Sequence, residues 1–596
     1  MTITFSIRVE STASHRAAVV LQVDGVTTPS FDLVLPSWVP GSYEIKEYAR
    51  TIRDVAARAV PGGTPLRVER TDKARWRVHS AGAGAVEVRY EVHGYGMITE
   101  AFDVTADHLF VNAAYGLPYV DGRQDEPYEV ALEVAADWKI YTELQRVGES
   151  PARFRARDYH ELLDSPIDCG HPVVLDFHAG GIPHRIVLCG HGGNYEGHRL
   201  EEDFRKIAEA AIRLFGGSPL RHYTFFYHLS DVSDGALEHA NSNSAVLPRT
   251  AFRPLSAYHR ALWTASHEYV HLYLVKRIRP VVLEPFDYTR EVYTKLLWAM
   301  EGTTDYYGLL LLRRAGLLGP SKFLEKLANE AHVHLGVPGR RVRSLEESSF
   351  LAWVDLYKPN EESRNWSESY YRKGLLVSFC LDLEIRHRTE NRASLDTVLN
   401  ALWVRFSQDG RGVGEEELLP IASAAVGLDL APFFARYVSG TDEVDFSAFA
   451  RYAGLSFGSK AKPPDPEGDG EPGWLGLEHT DRDGRVRVTS VLDGGPARRA
   501  GVSPGDEIVA IDRHLVTPEE FPKALMRLPA GTAAELSVFR RGWLTTIPIT
   551  TGVPPPEKHE FTALETATPL ERAIYESWLG SKWEPSPKKD PAEPGR

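Results

Sequence analysis

One run of five residues, His267-Glu268-Tyr269-Val270-His271, constrains this chain more than any other. It lies in the segment YHRALWTASHEYVHLYLVKRI, which is rich in helix formers and contains neither Pro nor Gly, so the spacing predicts one continuous helix. Residues four apart share a helix face, so both imidazoles can point at one cation. Glu268 is next to the first of them and can take a proton from a water at that cation. Two histidines, a carboxylate from elsewhere and one open position make the donor set of a reactive Zn2+ centre. The same spacing also suits two surface histidines on an amphipathic helix. The downstream sequence decides against that.

A third donor has to come from beyond the helix, and Glu284, Asp287, Glu291 and Glu301 all follow it. Glu284 and Asp287 fall in PVVLEPFDY, which reads as loop. Glu291 opens EVYTKLLWAMEGTTDYYGLLLLRRAGLL, predicted to be a helix with Gly302 near its middle. Glu301 lies inside that helix, and Asp305, four residues on, shares its face. A metal-bound imidazole usually gives its other N–H to a carboxylate, and Asp305 is placed to accept one. This favours Glu301 as the third ligand and Asp305 as the acid bracing a ligand histidine. Glu291 is the runner-up, with a plainer role as a first-turn acid complementing the helix dipole.

These residues carry a resemblance. Trp298-Ala299-Met300-Glu301-Gly302 after H-E-x-x-H resembles the gluzincin peptidases, including the aminopeptidase N family, and Glu301 with Asp305 resembles the ligand helix of thermolysin. Gly235-Ala236-Leu237-Glu238-His239 resembles the G-A-M-E-N exopeptidase motif, with Leu for Met and His for Asn. Tyr370-Tyr371-Arg372-Lys373-Gly374 resembles Y-x-K-G, whose Tyr helps bind the oxyanion. The full set adds K-R-I-R-P, P-F-D-Y and the N-terminal LPSWVPGSYEIKEYARTI. Together they resemble the glycyl aminopeptidase family of zinc metallopeptidases, whose members commonly carry a C-terminal PDZ domain.

The resemblance implies one Zn2+ per chain, held by His267, His271 and Glu301, with Glu268 as general base. Tyr371 would be the oxyanion donor, with Tyr370 its adjacent competitor. Glu238 would bind the substrate's free amine, with Gly235 and Ala236 lining the cleft. The implied reaction is removal of small N-terminal residues, Gly and Ala foremost, from peptides. An endopeptidase is the nearer alternative, and a PDZ-based peptide-binding scaffold with incidental peptidase activity the more distant one. Tyr306 and Tyr307 read as core, and the run Lys276-Arg277-Ile278-Arg279 as a solvated face without a role.

Composition supports this frame without dictating it. The chain has 596 residues, 43% of them hydrophobic, enough for several buried cores. A formal charge of -14 argues against nucleic acid as a partner. Cys169, Cys189 and Cys380 are too few and too odd in number for a disulfide framework, and free buried thiols are expected. The start alternates apolar and polar residues like a strand and lacks the pattern of a signal peptide, and no apolar run is long enough to span a membrane. The cytoplasm is therefore the expected compartment.

The expected architecture is multidomain α+β. Residues 1–170 show short alternating runs such as ITFSIRVE, AAVVLQVDG and VEVRYEVHG, which predict an antiparallel β-sandwich. Residues 171–380 read as a thermolysin-like α/β catalytic domain and 381–456 as its helical continuation. The segment 457–473 is Pro, Gly and charge and reads as a linker; a cut there is expected to leave the catalytic part whole. Residues 474–553 contain G-P-A-R-R-A-G-V-S-P-G-D-E-I and resemble a bacterial PDZ domain, with Leu475, Gly476 and Leu477 as its carboxylate-binding loop. The tail, 554–596, carries one short helix in TPLERAIYESWLG.

Overall fold

The computed structural model describes residues 2–231, 233–407, 410–460 and 473–585. It separates into two compact units, Met1–Tyr293 with Tyr307–Leu318 and Leu399–Gly414, and Thr294–Tyr306 with Gly319–Val398 and Glu415–Arg596. Among the described residues no helix is long and apolar enough to cross a membrane.

The first unit begins as the alternating pattern demands. Ile3–Ser11 and Arg16–Asp24 pair antiparallel, and Ile3, Phe5, Ile7, Leu21 and Val23 are fully buried on the inward face. They belong to an eight-stranded sheet closed by smaller four-stranded sheets. One pairing departs from the expected antiparallel rule: Ile3–Ser11 runs parallel to Tyr128–Glu133. A strand from the end of the domain thus returns beside the first, which only a long connection permits.

The next layer is a five-stranded sheet in the order Val173–Ala179, Ile182–Cys189, Tyr223–Leu229, Ser242–Leu247, Gly235–Glu238. Its three central strands are parallel. All seven residues of Tyr223–Leu229 are buried, as a two-sided parallel strand requires. The amphipathic helix Gly197–Leu214 connects two of these strands, and helix Leu255–His271 follows the last. Tyr269 fixes the rotation of that second helix. Its ring lies 4.9 Å from Tyr223 and 5.9 Å from Phe225, and its hydroxyl pairs with His184 Nε2 at 2.9 Å.

This helix ends at His271, earlier than the sequence predicts. Leu272, Tyr273, Leu274 and Val275 are all buried, and a helix would have left one of these consecutive apolar residues facing out. The chain instead doubles back through Val275, at φ 68°, so that Val275 N–H donates to Ile278 O and Ile278 N–H to Tyr273 O, both at 2.8 Å. The run after it is no solvated face. Lys276 pairs with Asp164 at 2.7 Å, and Arg277 donates to the carbonyls of Leu272 and Ala240.

In the second unit the segment around Glu301 also differs from expectation. Glu291 lies outside any helix. The helix starts at Trp298, whose N–H donates to Ser349 Oγ at 3.0 Å, after Thr294 Oγ1 accepts from Leu296 N–H. Its first turn, Trp298–Gly302, is a π-turn, and it continues as Thr303–Arg314. Helix Tyr370–Arg388 crosses it at two glycines: a Cβ on Gly302 would come within 2.4 Å of Gly374 Cα. The expected domain boundary at 380 therefore falls inside a helix.

The C-terminal region is organised differently from a linker, a domain and a tail. Residues 457–459, read as linker, end strand Leu455–Ser459, which pairs antiparallel with His559–Ala563 beyond the PDZ fold. Within that linker reading, 461–472 lie outside the described residues. Between them, Leu477–Arg482, Arg485–Val491, Glu507–Ile511, Ala533–Arg540 and Trp543–Thr550 form one sheet around the core of Val486, Val488, Ile508, Leu536 and Val538. This domain opens and closes at adjacent points, since Trp474 and Gly552 exchange backbone hydrogen bonds at 2.9 and 2.8 Å. It is clasped to helix Ser363–Trp366: Asn365 donates to Val491 O at 2.8 Å and accepts from Asp493 N–H at 2.9 Å, while Glu362 pairs with Arg498. Beyond it, helix Pro569–Leu579 buries Trp578 against Phe379, with its indole N–H on Tyr306 Oη at 2.9 Å.

A chain ending at residue 460 should therefore be insoluble or melt far below the full chain, contrary to the expectation from sequence. Trp578→Ala alone should cost about 3–5 kcal/mol. Excising 474–552 with a short join should keep the remainder folded. Thermal melting of the three proteins checks this; a stable chain ending at residue 460 would show that the returning strand and helix are dispensable.

Candidate active site

His267, His271 and Glu301 come together: one ligand atom of each lies within 4.8 Å of the others. The two Nε2 atoms are 2.8 Å apart with the rings nearly perpendicular, so both aim at one point. His271 Nδ1 faces the Leu274 carbonyl at 3.4 Å. An N–H there leaves the Nε2 lone pair for a cation. The turn that cuts the helix short thus supplies the carbonyl that orients its last histidine. Asp305, half-buried, stands one helical turn after Glu301.

Glu268 is buried beside an aromatic wall from strand Tyr223–Leu229. Burial, and then the charge of Glu268, push the hydroxyls of Tyr223 and Tyr227 far above their usual range. These phenols stay neutral beside the carboxylate, and Tyr223 also meets the charge of Glu143.

Glu301 is almost fully buried in the π-turn. Burial, followed by the charge of Glu301, raises the Tyr371 hydroxyl well above its usual range, so it remains a proton donor. Tyr371 is half-buried, whereas Tyr370 is fully buried, so Tyr371 is the more exposed of the two phenols. Tyr357, which the sequence reading passed over, touches both through its hydroxyl, at 3.1 Å from Tyr371 and 3.2 Å from Tyr370. No local pattern marks it. Lys373 of the same motif turns inward instead, to the carbonyls of Arg340 and Arg343, and burial brings its amine down to about 8.

Glu238 ends the edge strand Gly235–Glu238, which also carries Ala236 and pairs on one side only. Its unpaired side can accept an extended peptide. The Glu238 carboxylate lies against Gly41, where a Cβ would come within 2.5 and 2.6 Å of its two oxygens. Gly41 also sits at φ 101°, so side chains are excluded there twice over. The P-G pair in LPSWVPGSY was the only hint of this position. A cavity of about 500 Å³ adjoins Glu238, lined also by Leu237, His239, Lys276 and Tyr288. His239, the departure from Asn, is a buried strut between Asp164 and Ser244. Against the upward push of burial, Lys276 and His239 hold the Asp164 carboxyl well below the usual carboxylate range.

In the PDZ fold, Gly476 takes φ 71° with Gly495 packed against it, and the carbonyls of Gly476 and Leu475 accept from Leu492 and Ala497 N–H. Leu477 begins an edge strand, and His479 on that strand meets Phe521 of helix Glu520–Met526 at 4.9 Å. An edge strand beside a helix is the pair of elements to which PDZ domains add a peptide terminus.

Three family models match the chain: the Peptidase M61 N-terminal domain at residues 4–171, M61 glycyl aminopeptidase at 260–377 and a PDZ domain at 473–551. An aminopeptidase N family protein from Idiomarina loihiensis has the same fold, with a TM-score of 0.89 and 26% identity over 97% of this chain and 100% of that one. Curated relatives match shorter parts. A carboxy-terminal-processing protease from Bartonella bacilliformis is 39% identical over 14% of this chain and 20% of its own length. A probable periplasmic serine endoprotease DegP-like from Pseudomonas fulva is 24% identical over 28% of this chain. This chain spans 40% of that second protein's length. With the N-terminal and catalytic segments both matched, and the fold shared end to end with an aminopeptidase N family protein, this chain belongs to the M61 peptidases, the glycyl aminopeptidase family, and carries a PDZ domain.

Proposed function

We propose that this peptidase is a zinc-dependent aminopeptidase that removes small N-terminal residues, Gly and Ala foremost, from peptides. The observation that carries this reading is the convergence of His267, His271 and Glu301 beside a buried Glu268. Two imidazole nitrogens aimed at one point and a buried carboxylate suit a divalent cation with nitrogen and oxygen ligands, and three protein donors leave a position for substrate. When bound, Zn2+ supplies Lewis acidity, which eases deprotonation of the attacking water and polarises the scissile carbonyl.

The chain's own residues do the rest. Glu268 takes the proton of the attacking water and delivers it to the leaving amine. Tyr371, held protonated, donates to the carbonyl oxygen as negative charge develops there. Tyr357 fixes the direction of that hydroxyl. Glu238, backed by the bare Gly41 backbone, pairs with the substrate's ammonium, and the edge strand Gly235–Glu238 aligns the peptide. The preference for Gly and Ala rests on the family resemblance. We also propose that the PDZ groove takes a peptide C-terminus.

Glu301→Ala should lose bound zinc, whereas Glu291→Ala should keep it, as metal analysis of the purified proteins will show. The reverse pattern removes the ligand assignment.

Glu268→Gln should keep zinc and fold but lose nearly all turnover, because Gln cannot accept the proton. Tyr371→Phe should lower kcat by about a hundredfold or more with little change in KM, and Tyr370→Phe by much less. Steady-state kinetics of these variants decide it; near-normal turnover in Glu268→Gln would end the water-activation mechanism.

Glu238→Ala should raise KM and lower kcat on free-amine substrates with metal content unchanged. N-acetylated substrates should be cut poorly by the parent and no worse by the variant. Equal cleavage of blocked and free peptides by the parent would make the protein an endopeptidase.

A further inference from the structure

A second cluster of metal-binding side chains lies apart from the peptidase residues. His108, Asp168, Cys189 and His228 each place one ligand atom within 4.8 Å of the others. They come from four strands in two sheets. His108 heads strand His108–Val111, which pairs with Ile167–Gly170, the strand carrying Asp168. Cys189 ends strand Ile182–Cys189 and is the direct parallel partner of His228 on Tyr223–Leu229. The first two strands belong to the N-terminal β-region and the second two to the five-stranded sheet beneath the H-E-x-x-H helix.

Asp168 is the hub. Its Oδ2 is 2.7 Å from His228 Nε2 and 3.4 Å from His108 Nε2, and its Oδ1 accepts from Cys189 Sγ at 3.1 Å. Asp168 is fully buried, His228 and Cys189 nearly so, and His108 half-buried. Phe110 closes one side, its ring 4.7 Å from His228. Asp103 Oδ2 lies 3.5 Å from His108 Nδ1, the outer carboxylate that metal-bound histidines commonly have. Among the described residues His228 Nδ1 has no hydrogen-bond partner, so hydrogen bonding alone leaves this polar cluster incomplete.

We propose that His108, Asp168, Cys189 and His228 form a second, structural Zn2+ site that fastens the N-terminal β-region to the catalytic sheet. Two imidazoles, a thiolate and a carboxylate make a closed four-donor set with no open position, as structural zinc sites have. Tetrahedral zinc bonds of ordinary length put ligand atoms about 3.3–3.8 Å apart; the 3.4 Å between His108 and Asp168 already fits, and the 2.7 Å between His228 and Asp168 would widen by about 0.6 Å. Charge also balances. Binding breaks the Cys189 S–H bond and sends that proton to solvent, together with the ring proton that His108 directs at Asp168; thiolate and carboxylate then cancel the ion's two positive charges. The buried set becomes neutral with both histidines uncharged. This chemistry differs from the peptidase set, which contains no sulfur, and the difference makes the two sites separable.

The test uses the full chain, loaded with Zn2+ or with Co2+ after removal of metal by a chelator. Two zinc ions per chain are expected in the parent and one in His267→Ala. The cobalt protein should show a near-ultraviolet sulfur-to-cobalt charge-transfer band that persists in His267→Ala and disappears in Cys189→Ser. If Cys189→Ser does not fold, the band in the parent and in His267→Ala still decides, because only a thiolate ligand produces it. One equivalent in the parent, none in His267→Ala and no charge-transfer band would overturn the proposal and leave a hydrogen-bonded network around Asp168.

Discussion

Two glycines in contact set the geometry around Glu301. Gly302 follows Glu301 and Gly374 follows Tyr371 by three residues, and the helices that carry them touch backbone to backbone at this point. Any side chain at either position would have to push the helices apart, because the obstacle on each side is main chain. The close crossing is what lets Tyr371 feel the charge of Glu301. A third glycine does similar work in the first unit: Gly308, on the continuation of the Glu301 helix, lies against the backbone of His267, with room for a Cβ only at 3.2 Å. The motif glycines are thus spacers that set how deep each functional residue sits.

The π-turn belongs to the same device. Widening one turn at Trp298–Gly302 places Glu301 within a helix that would otherwise run evenly past it. Thr303 Oγ1 meets Ser378 Oγ at 3.0 Å and Tyr306 Oη donates to Asp382 at 2.7 Å, so the crossing is fastened on successive turns after the irregular one. Buried polar pairs of this kind specify one register between two helices, where apolar packing alone would allow sliding.

What the sequence revealed and what it hid follow from the range of the interactions. His267, Glu268, His271, Glu301 and the Tyr370–Gly374 segment were legible because each is a short pattern on one helix. The N-terminal strands were legible because their burial alternates with period two. Helix ends were not. The H-E-x-x-H helix stops where four consecutive apolar residues must all be buried, and the Glu301 helix starts where Ser349, far away in sequence, accepts its first N–H. Tyr357 and Gly41 act through contacts that no local pattern encodes. The pairing of Leu455–Ser459 with His559–Ala563 was hidden for the same reason, since a whole domain lies between the two strands.

That pairing changes what the PDZ domain is. A module joined by one linker at the end of a chain can sample many orientations. Here the chain leaves the peptidase body from one strand and returns as that strand's partner, and the domain's own ends meet at Trp474 and Gly552. Asn365 adds a buried clasp at Val491 and Asp493, and the Glu362–Arg498 ion pair lies beside it. A surface ion pair fixes little by itself, but the fully buried amide pairs with two backbone groups of the domain at once, which only one placement of the domain satisfies. Helix Ser363–Trp366, which receives this clasp, leads through Ser369, the cap of the next helix, to Tyr370 and Tyr371. The PDZ domain is therefore held in a fixed relation to the start of the helix that carries Tyr371, and it is an integral part of this unit of the peptidase.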